Sequence, residues 1–252
     1  MDKHQLVELA CDLRLSGIKD NIEIRLSQAR ESNLSYEELL ALIFQDELQC
    51  RKQKDLASKI RNAQFEEIKS IDNFDLRPYP NKVVQAIKHL MTGSFITEKS
   101  HVVIMGPVGT GKTHLAQALG LLACEKGKKV KFVRTNELLQ QFYRSRADET
   151  WDKLFNRYKK NDVLILDDFG LKSLSAEQSS DLYDLIAAIH VTSSIIITSN
   201  RKIECWMNLF HDPVMANAAM DRIVNKAFRV ILEGESYRKK FIPKLKKENE
   251  AK

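Results

Sequence analysis

Val102-Val103-Ile104-Met105-Gly106-Pro107-Val108-Gly109-Thr110-Gly111-Lys112-Thr113 decides the reading of this chain. The four leading apolar residues predict a buried strand. Gly106, Gly111, Lys112 and Thr113 then meet the spacing G-x-x-x-x-G-K-[ST], and the run from His114 to Cys124 predicts a helix directly behind it. Without a Cβ, glycine lets the backbone close around an anion and adopt positive φ. The loop N–H groups then point inward, at the start of a helix whose dipole favours negative charge. Strand, loop and helix together read as a nucleotide-binding P-loop. Lys112 would reach the β- and γ-phosphates, and the Thr113 hydroxyl would ligate Mg²⁺.

A second strand, Val163-Leu164-Ile165-Leu166, ends in Asp167-Asp168. Mg²⁺ is a hard cation held by a few oxygens and waters, so Asp167 suits it directly or through a water. Asp168 would lie near the γ-phosphate and polarise the attacking water. Two acids after a strand also serve as a helix cap; the P-loop upstream favours the metal role. A third strand, Ser194-Ile195-Ile196-Ile197-Thr198-Ser199-Asn200, ends in polar residues at the edge where open α/β sheets bind ligands. Asn200 would bond the γ-phosphate and the lytic water, or simply cap a turn.

Around these motifs the chain predicts an α/β fold. Strands are expected at Val102–Met105, Val130–Val133, Val163–Leu166, Ile195–Thr198 and Ala227–Leu232, with helices between them. Short continuous apolar strands alternating with helices imply a parallel five-stranded sheet covered on both faces. Residues 1–66 instead read as a small all-α interaction domain. Leu6, Leu9, Leu13, Ile22 and Leu26 keep helical spacing, with Gly17 as the expected break and Asn33 as the end of the second helix. Ser35-Tyr36-Glu37-Glu38 is a capping box for a long helix reaching about Ala63. Asn73 to Asn81, with Pro78 and Pro80, reads as a linker within the start of a second domain, 67–252.

Composition narrows the class. The 252 residues hold no apolar run long enough to span a bilayer and no secretory h-region at the N-terminus, so no membrane is expected and a cytoplasmic protein is. Cys11, Cys50, Cys124 and Cys205 show no C-x-x-C and read as mostly packed thiols, and the six histidines form no metal-spaced cluster. The net charge is +6, yet residues 126–160 alone carry eleven Lys/Arg against four Asp/Glu, or +7. A basic segment beside a nucleotide site points to a phosphate backbone as partner, or to a solvated helix face.

The wording of the motifs resembles one family. Gly106-Pro107-x-Gly109-x-Gly111-Lys112-Thr113-His114-Leu115-Ala116, Leu164-Ile165-Leu166-Asp167-Asp168-Phe169-Gly170 and Ile196-Ile197-Thr198-Ser199-Asn200-Arg201 are similar to IstB, the ATPase helper of insertion-sequence transposases. That family is an AAA+ relative of the DnaC-type helicase loaders. Leu13-Arg14-Leu15-x-Gly17-Ile18, Asp212-Pro213-Val214 and Asp221-Arg222-Ile223 extend the resemblance over essentially the whole chain. It implies an AAA+ P-loop NTPase using ATP and Mg²⁺, with Gly106, Pro107, Gly109, Thr110, Gly111, Lys112, Thr113 and His114 around the nucleotide. It also implies that Arg222 is a finger inserted into the ATP site of the next subunit, so that hydrolysis requires a homo-oligomer (ring, spiral or filament). Arg238 aligns with the second sensor arginine. About twenty residues follow the last strand, too few for a full helical lid, so the lid is expected to be reduced or absent. Asp168 stands where the wider superfamily commonly has Glu; the shorter side chain fits a slow, switch-like ATPase.

The basic segment falls near 134–160, where DNA-handling AAA+ proteins carry an extra helical insertion. Helices are expected at Glu137–Tyr143 and Glu149–Tyr158, with Arg144, Ser145 and Arg146 at their joint. Arg144, Arg146, Lys153, Arg157, Lys159 and Lys160 are the candidate duplex-DNA contacts, made to phosphates and therefore salt-sensitive and largely sequence-independent. Phe142, Tyr143, Trp151, Phe155 and Tyr158 are expected in the core. The expected function is an ATP-dependent transposition regulator that assembles on duplex DNA, selects or remodels the target site, and recruits an IstA-like transposase. The alternatives are a DnaC-like helicase loader and a small-molecule P-loop kinase, the latter needing neither DNA nor Arg222.

Overall fold

The structure is a computed structural model that describes residues 3–234, 236 and 237. The chain divides into two compact units, Met1–Lys59 and Ile60–Lys252.

The first unit is helical: α1 (Lys3–Asp12), α2 (Ser16–Ser32) and most of α3 (Tyr36–Ala63). Asn33 closes α2 in the left-handed region at φ 50°, a conformation asparagine tolerates. At the start of α3 the Ser35 hydroxyl accepts from the Glu38 N–H, and the Glu38 carboxylate accepts from the Ser35 N–H. The break between α1 and α2 is not at Gly17. It falls at Leu13–Leu15, where Arg14 takes φ 56°, and Gly17 lies buried in the first turn of α2. Glycine is required there by close packing: a Cβ would stand 2.5 Å from the Asp46 carbonyl oxygen of α3. The Glu47 carboxylate accepts from the N–H groups of Gly17 and Ile18, satisfying the start of α2. Arg25 grips Asp46 with two hydrogen bonds of 2.7 Å.

The second unit is a doubly covered parallel sheet. Its elements in order are α4 (Asn81–Met91), α5 (Ser94–Thr97), β1 (His101–Met105), α6 (Lys112–Glu125), β2 (Val130–Arg134), α7 (Thr135–Ala147), α8 (Trp151–Lys159), β3 (Val163–Asp167), α9 (Ala176–Ile189), β4 (Ser194–Ser199), α10 (Pro213–Val224) and β5 (Ala227–Ile231). The strands lie in the order β2-β3-β4-β1-β5, all pairs parallel. Successive side chains point to opposite faces. Val103, Leu164, Leu166, Ile195 and Ile197 share one core with the apolar faces of α7, α8, α9 and α10. Ile165, of opposite parity, meets α6 at Gly120.

The two helices after β2 are part of this core rather than an appendage. Leu138, Leu139, Phe142 and Tyr158 are buried within it, and Trp151 and Phe155 pack against it half-buried. Tyr143 departs from expectation: it faces away from that stripe and is 67% exposed. The expected joint is displaced too. Arg144, Ser145 and Arg146 belong to the last turn of α7, and residues 148–150 make the turn. The cysteines are mixed, with Cys124 buried, Cys50 half-buried, and Cys11 and Cys205 exposed. Among the described residues no helix is long and apolar enough to cross a membrane.

Candidate active site

The carboxyl ends of β1, β3 and β4 converge on one cleft of about 610 Å³. This is the edge at which such sheets bind ligands. The loop after β1 turns tightly because Gly106, Gly109 and Gly111 take φ of 153°, 82° and 83°. Any side chain at Gly106 would meet the Leu232 carbonyl at 2.2 Å, and one at Gly111 would meet the Phe74 ring at 2.9 Å. Pro107 contributes its carbonyl, which accepts from the Thr110 hydroxyl at 2.9 Å and from the Lys112 ammonium at 2.7 Å. Lys112 is therefore folded against its own loop, buried at the N-terminus of α6.

Thr113 and Asp167 meet directly. The Thr113 hydroxyl donates to the two carboxylate oxygens at 3.0 and 3.2 Å. Thr198, buried in β4, donates to Asp167 at 2.5 Å and accepts from the Asp168 N–H at 3.0 Å. Thr135 adds a bond to the Asp167 carbonyl at 2.9 Å. Burial pushes the Asp167 carboxyl upward, the Thr198 hydrogen bond opposes this, and the neighbouring Asp168 charge adds to it. Two hard oxygen donors in contact beside a phosphate cradle fit a Mg²⁺ ion, which would replace the hydroxyl–carboxylate bond and relieve the crowded negative charge. Asp168 takes the left-handed region at φ 54° and is half-buried. That conformation is costly for a residue with a Cβ and turns the chain sharply at the cleft. Asn200 is exposed at the end of β4 and lines the same space, as does His114, whose Nε2 lies 3.0 Å from the Ser70 carbonyl.

Several cleft residues were not expected. The stretch read as a linker forms a wall. Phe74 and Tyr79 are buried and stacked, with centroids 5.6 Å apart at 7°, and the Tyr79 hydroxyl donates to the Thr110 carbonyl at 2.7 Å. Two aromatics, one just before the prolines and one between them, were the available signal. The Tyr237 N–H donates to the Gly109 carbonyl at 2.9 Å, and its hydroxyl bonds Asp75. Arg77 and Tyr237 hold the Asp75 carboxyl well below the usual range, and Asp75 pushes the Tyr237 phenol up to about 12. Glu66 and Arg134, an ion pair, also line the cleft. Thr198 was signalled only as a polar residue closing an isoleucine run.

Arg222 does not line this cleft among the described residues. It sits half-buried in the last turn of α10, bonded to the Ala218 carbonyl at 2.7 Å with its guanidinium 5.2 Å from the Tyr183 ring centre. Arg238, and the lid expected to be reduced or absent, lie outside the described residues. Of the basic set, Arg144, Lys153, Arg157, Lys159 and Lys160 are exposed. Arg146 is engaged: its guanidinium pairs with Asp181 and lies 5.4 Å over the Trp151 ring.

The family model of the IstB-like ATP binding protein matches residues 8–244. The chain is 35% identical over 227 residues to the ATP-binding protein of an insertion sequence in Mycobacterium tuberculosis, covering 90% of each. It is 30% identical over 237 residues to the insertion sequence IS21 ATP-binding protein of Pseudomonas aeruginosa, covering 94% of this chain and 89% of that one. The fold is that of the DnaC helicase loader (TM-score 0.55, 21% identity, 65% of this chain and 96% of that one) and of AMPPCP-bound DnaA from Aquifex aeolicus (TM-score 0.57, 23% identity, 68% and 52%). With the glycine loop, Lys112, Thr113 and Asp167 gathered at one sheet edge, the chain belongs to the IstB-like ATP-binding family and is an AAA+ P-loop ATPase.

Proposed function

We propose that this ATPase serves DNA transposition by assembling on duplex DNA in its ATP-bound form, marking or bending a target site and engaging an IstA-like transposase there. The insertion-sequence relatives support the transposition setting. One observation carries the assembly step. The cleft gathers Lys112, Thr113, Asp167, Asp168 and Asn200, while Arg222 lies elsewhere on α10. Beyond the cleft's own Lys112 and Arg134, an Arg222 finger would then reach the γ-phosphate only from a neighbouring subunit, which makes hydrolysis conditional on assembly.

Within one cleft the residues divide the work. Lys112 leaves the Pro107 carbonyl to bind the β- and γ-phosphates. Thr113 and Asp167 hold Mg²⁺, which when bound neutralises charge on the triphosphate. Asp168 accepts a hydrogen bond from the attacking water, and Asn200 orients it. Arg222 of a neighbour stabilises charge on the transferred phosphoryl, an effect worth about 10³–10⁵ in rate. Arg144, Lys153, Arg157, Lys159 and Lys160 contact DNA phosphates; Lys153 and Arg157, four apart on α8, share one face. Hydrolysis then releases or remodels the assembly.

Mixing tests the composite site. Arg222→Ala retains a complete cleft, and Lys112→Ala retains the finger. Each alone should be nearly inactive, and mixed with duplex DNA they should recover ATP turnover. No recovery above the separate proteins, with both folded and both bound to DNA, would defeat the reading. Pull-down with transposase but not replicative helicase separates it from the helicase-loader alternative.

A further inference from the structure

The segment immediately after α3 is built into the ATPase core, and its last contact is in the ATP cleft. Gln64 leaves the helix at φ 57°, and its side chain accepts from Lys131, which is buried in β2. The Phe65 ring fills the space above Gly120 of α6, where any Cβ would come within 2.8 Å of it, and faces Phe132 at 6.4 Å. The Glu67 N–H donates to the buried Gln117 side chain of α6 at 3.2 Å. Between Phe65 and Glu67, Glu66 reaches into the cleft and pairs with Arg134.

Arg134 ends β2 directly beside Asp167, its register partner on β3. Its guanidinium is drawn first to Glu66 and then, more weakly, to Asp168 and Asp167. Glu66 in turn adds to the upward push on the Asp167 carboxyl. Three carboxylates of the cleft, Glu66, Asp167 and Asp168, thus act on Arg134, which is committed to Glu66 of the segment after α3. A triphosphate adds several negative charges to this space. It repels Glu66, and it offers Arg134 a stronger, bidentate acceptor.

We infer that the Glu66–Arg134 pair is a nucleotide-responsive latch: phosphate entry draws Arg134 off Glu66 and loosens the segment 64–67, through which the chain runs on from the N-terminal helices. The inference rests on this cleft taking ATP. It gives the bound nucleotide a way to act on the N-terminal chain without hydrolysis, which a transposition switch needs. The side chains of Gln64 and Phe65 keep their contacts with Lys131, Phe132 and the face of α6 at Gly120, so the backbone loosens locally and does not detach.

Amide hydrogen exchange on the full chain tests it, with AMPPCP and Mg²⁺ as the probe. In the unaltered protein the probe should slow exchange in the glycine loop and the first turn of α6. It should speed exchange of the amides of residues 65–67 by about tenfold. In Glu66→Gln those amides should exchange fast without nucleotide, and the probe should add nothing further. Arg134→Gln should behave alike and also bind AMPPCP more weakly. A protected glycine loop with unchanged or slower exchange at 65–67 would overturn the latch. A glycine loop left unprotected would overturn the cleft assignment itself. If Glu66→Gln fails to fold, the comparison of the unaltered protein with and without AMPPCP still decides.

Discussion

Thr113 donates its hydroxyl to both carboxylate oxygens of Asp167, 3.0 and 3.2 Å away, joining residues 54 positions apart in sequence. The bond puts the P-loop helix and the end of β3 in the arrangement a cation between them needs. Thr113→Ser keeps the hydroxyl and should keep most of the ATPase activity. Thr113→Val keeps the shape and loses the oxygen. It should lower kcat by about 100-fold and raise the Mg²⁺ concentration needed for half-maximal rate. Steady-state turnover across a Mg²⁺ titration measures both, and equal activity of Val and Ser at this position would remove Thr113 from the metal site.

Arg146 and Arg144 lie two residues apart on α7 and should behave differently. Arg146 ties α7 to α9 through Asp181, whose side chain is 3% exposed and also accepts from the Trp151 indole at 3.2 Å. Removing Arg146 leaves a buried carboxylate under-compensated, so Arg146→Ala should cost about 2 kcal/mol in urea unfolding. Arg146→Ala combined with Asp181→Asn should recover part of that loss. Arg144 is exposed, and Arg144→Ala should leave stability unchanged while weakening DNA binding and lowering its salt dependence. Equal unfolding midpoints for Arg146→Ala and the unaltered protein would refute the structural role.

That difference marks the limit of legibility in the chain. Strand positions were readable because strands covered on both faces are continuous apolar runs; Val163–Leu166 needed only Asp167 added. Local chemistry was readable as well, from the Ser35–Glu38 capping box to the glycine loop. Contacts between distant segments were not. Arg146 looks like Arg144 until Asp181 arrives from α9, and Phe74 and Tyr79 look like linker residues until Gly111 leaves space for a ring. Gly17 has the local look of a helix break, but its role is set by the α3 backbone that passes over it.

Gly17 can be tested on that ground. A methyl group there would lie 2.6 Å from the Glu47 Cα and 2.5 Å from the Asp46 oxygen, both backbone atoms that no side-chain rotation can move. Gly17→Ala would raise helix propensity in α2 were the site open. Instead it should destabilise the α2–α3 contact by about 2 kcal/mol and accelerate hydrogen exchange across α2. A stabilising effect of the substitution would mean that the close approach is absent in solution.

His101 sets a pH dependence for the sheet. It is fully buried at the start of β1, and its Nδ1 accepts from the Ile195 N–H of β4 at 3.1 Å, so the ring is neutral. Burial, reinforced by Lys226 and His190, lowers its pKa to about 4 from 6.5. The unfolded chain therefore binds more protons between those values. The contribution of His101 to stability is complete above pH 6.5, falls as pH drops towards 4, and levels off below it, a loss of about 3 kcal/mol. His101→Asn, which keeps an acceptor for Ile195 and cannot titrate, should lose this part of the slope. Urea midpoints at pH 7, 5.5 and 4.5 should converge for the two proteins on acidification, beginning with the histidine form more stable. Parallel midpoints across that range would show that His101 titrates normally and is not buried as neutral imidazole.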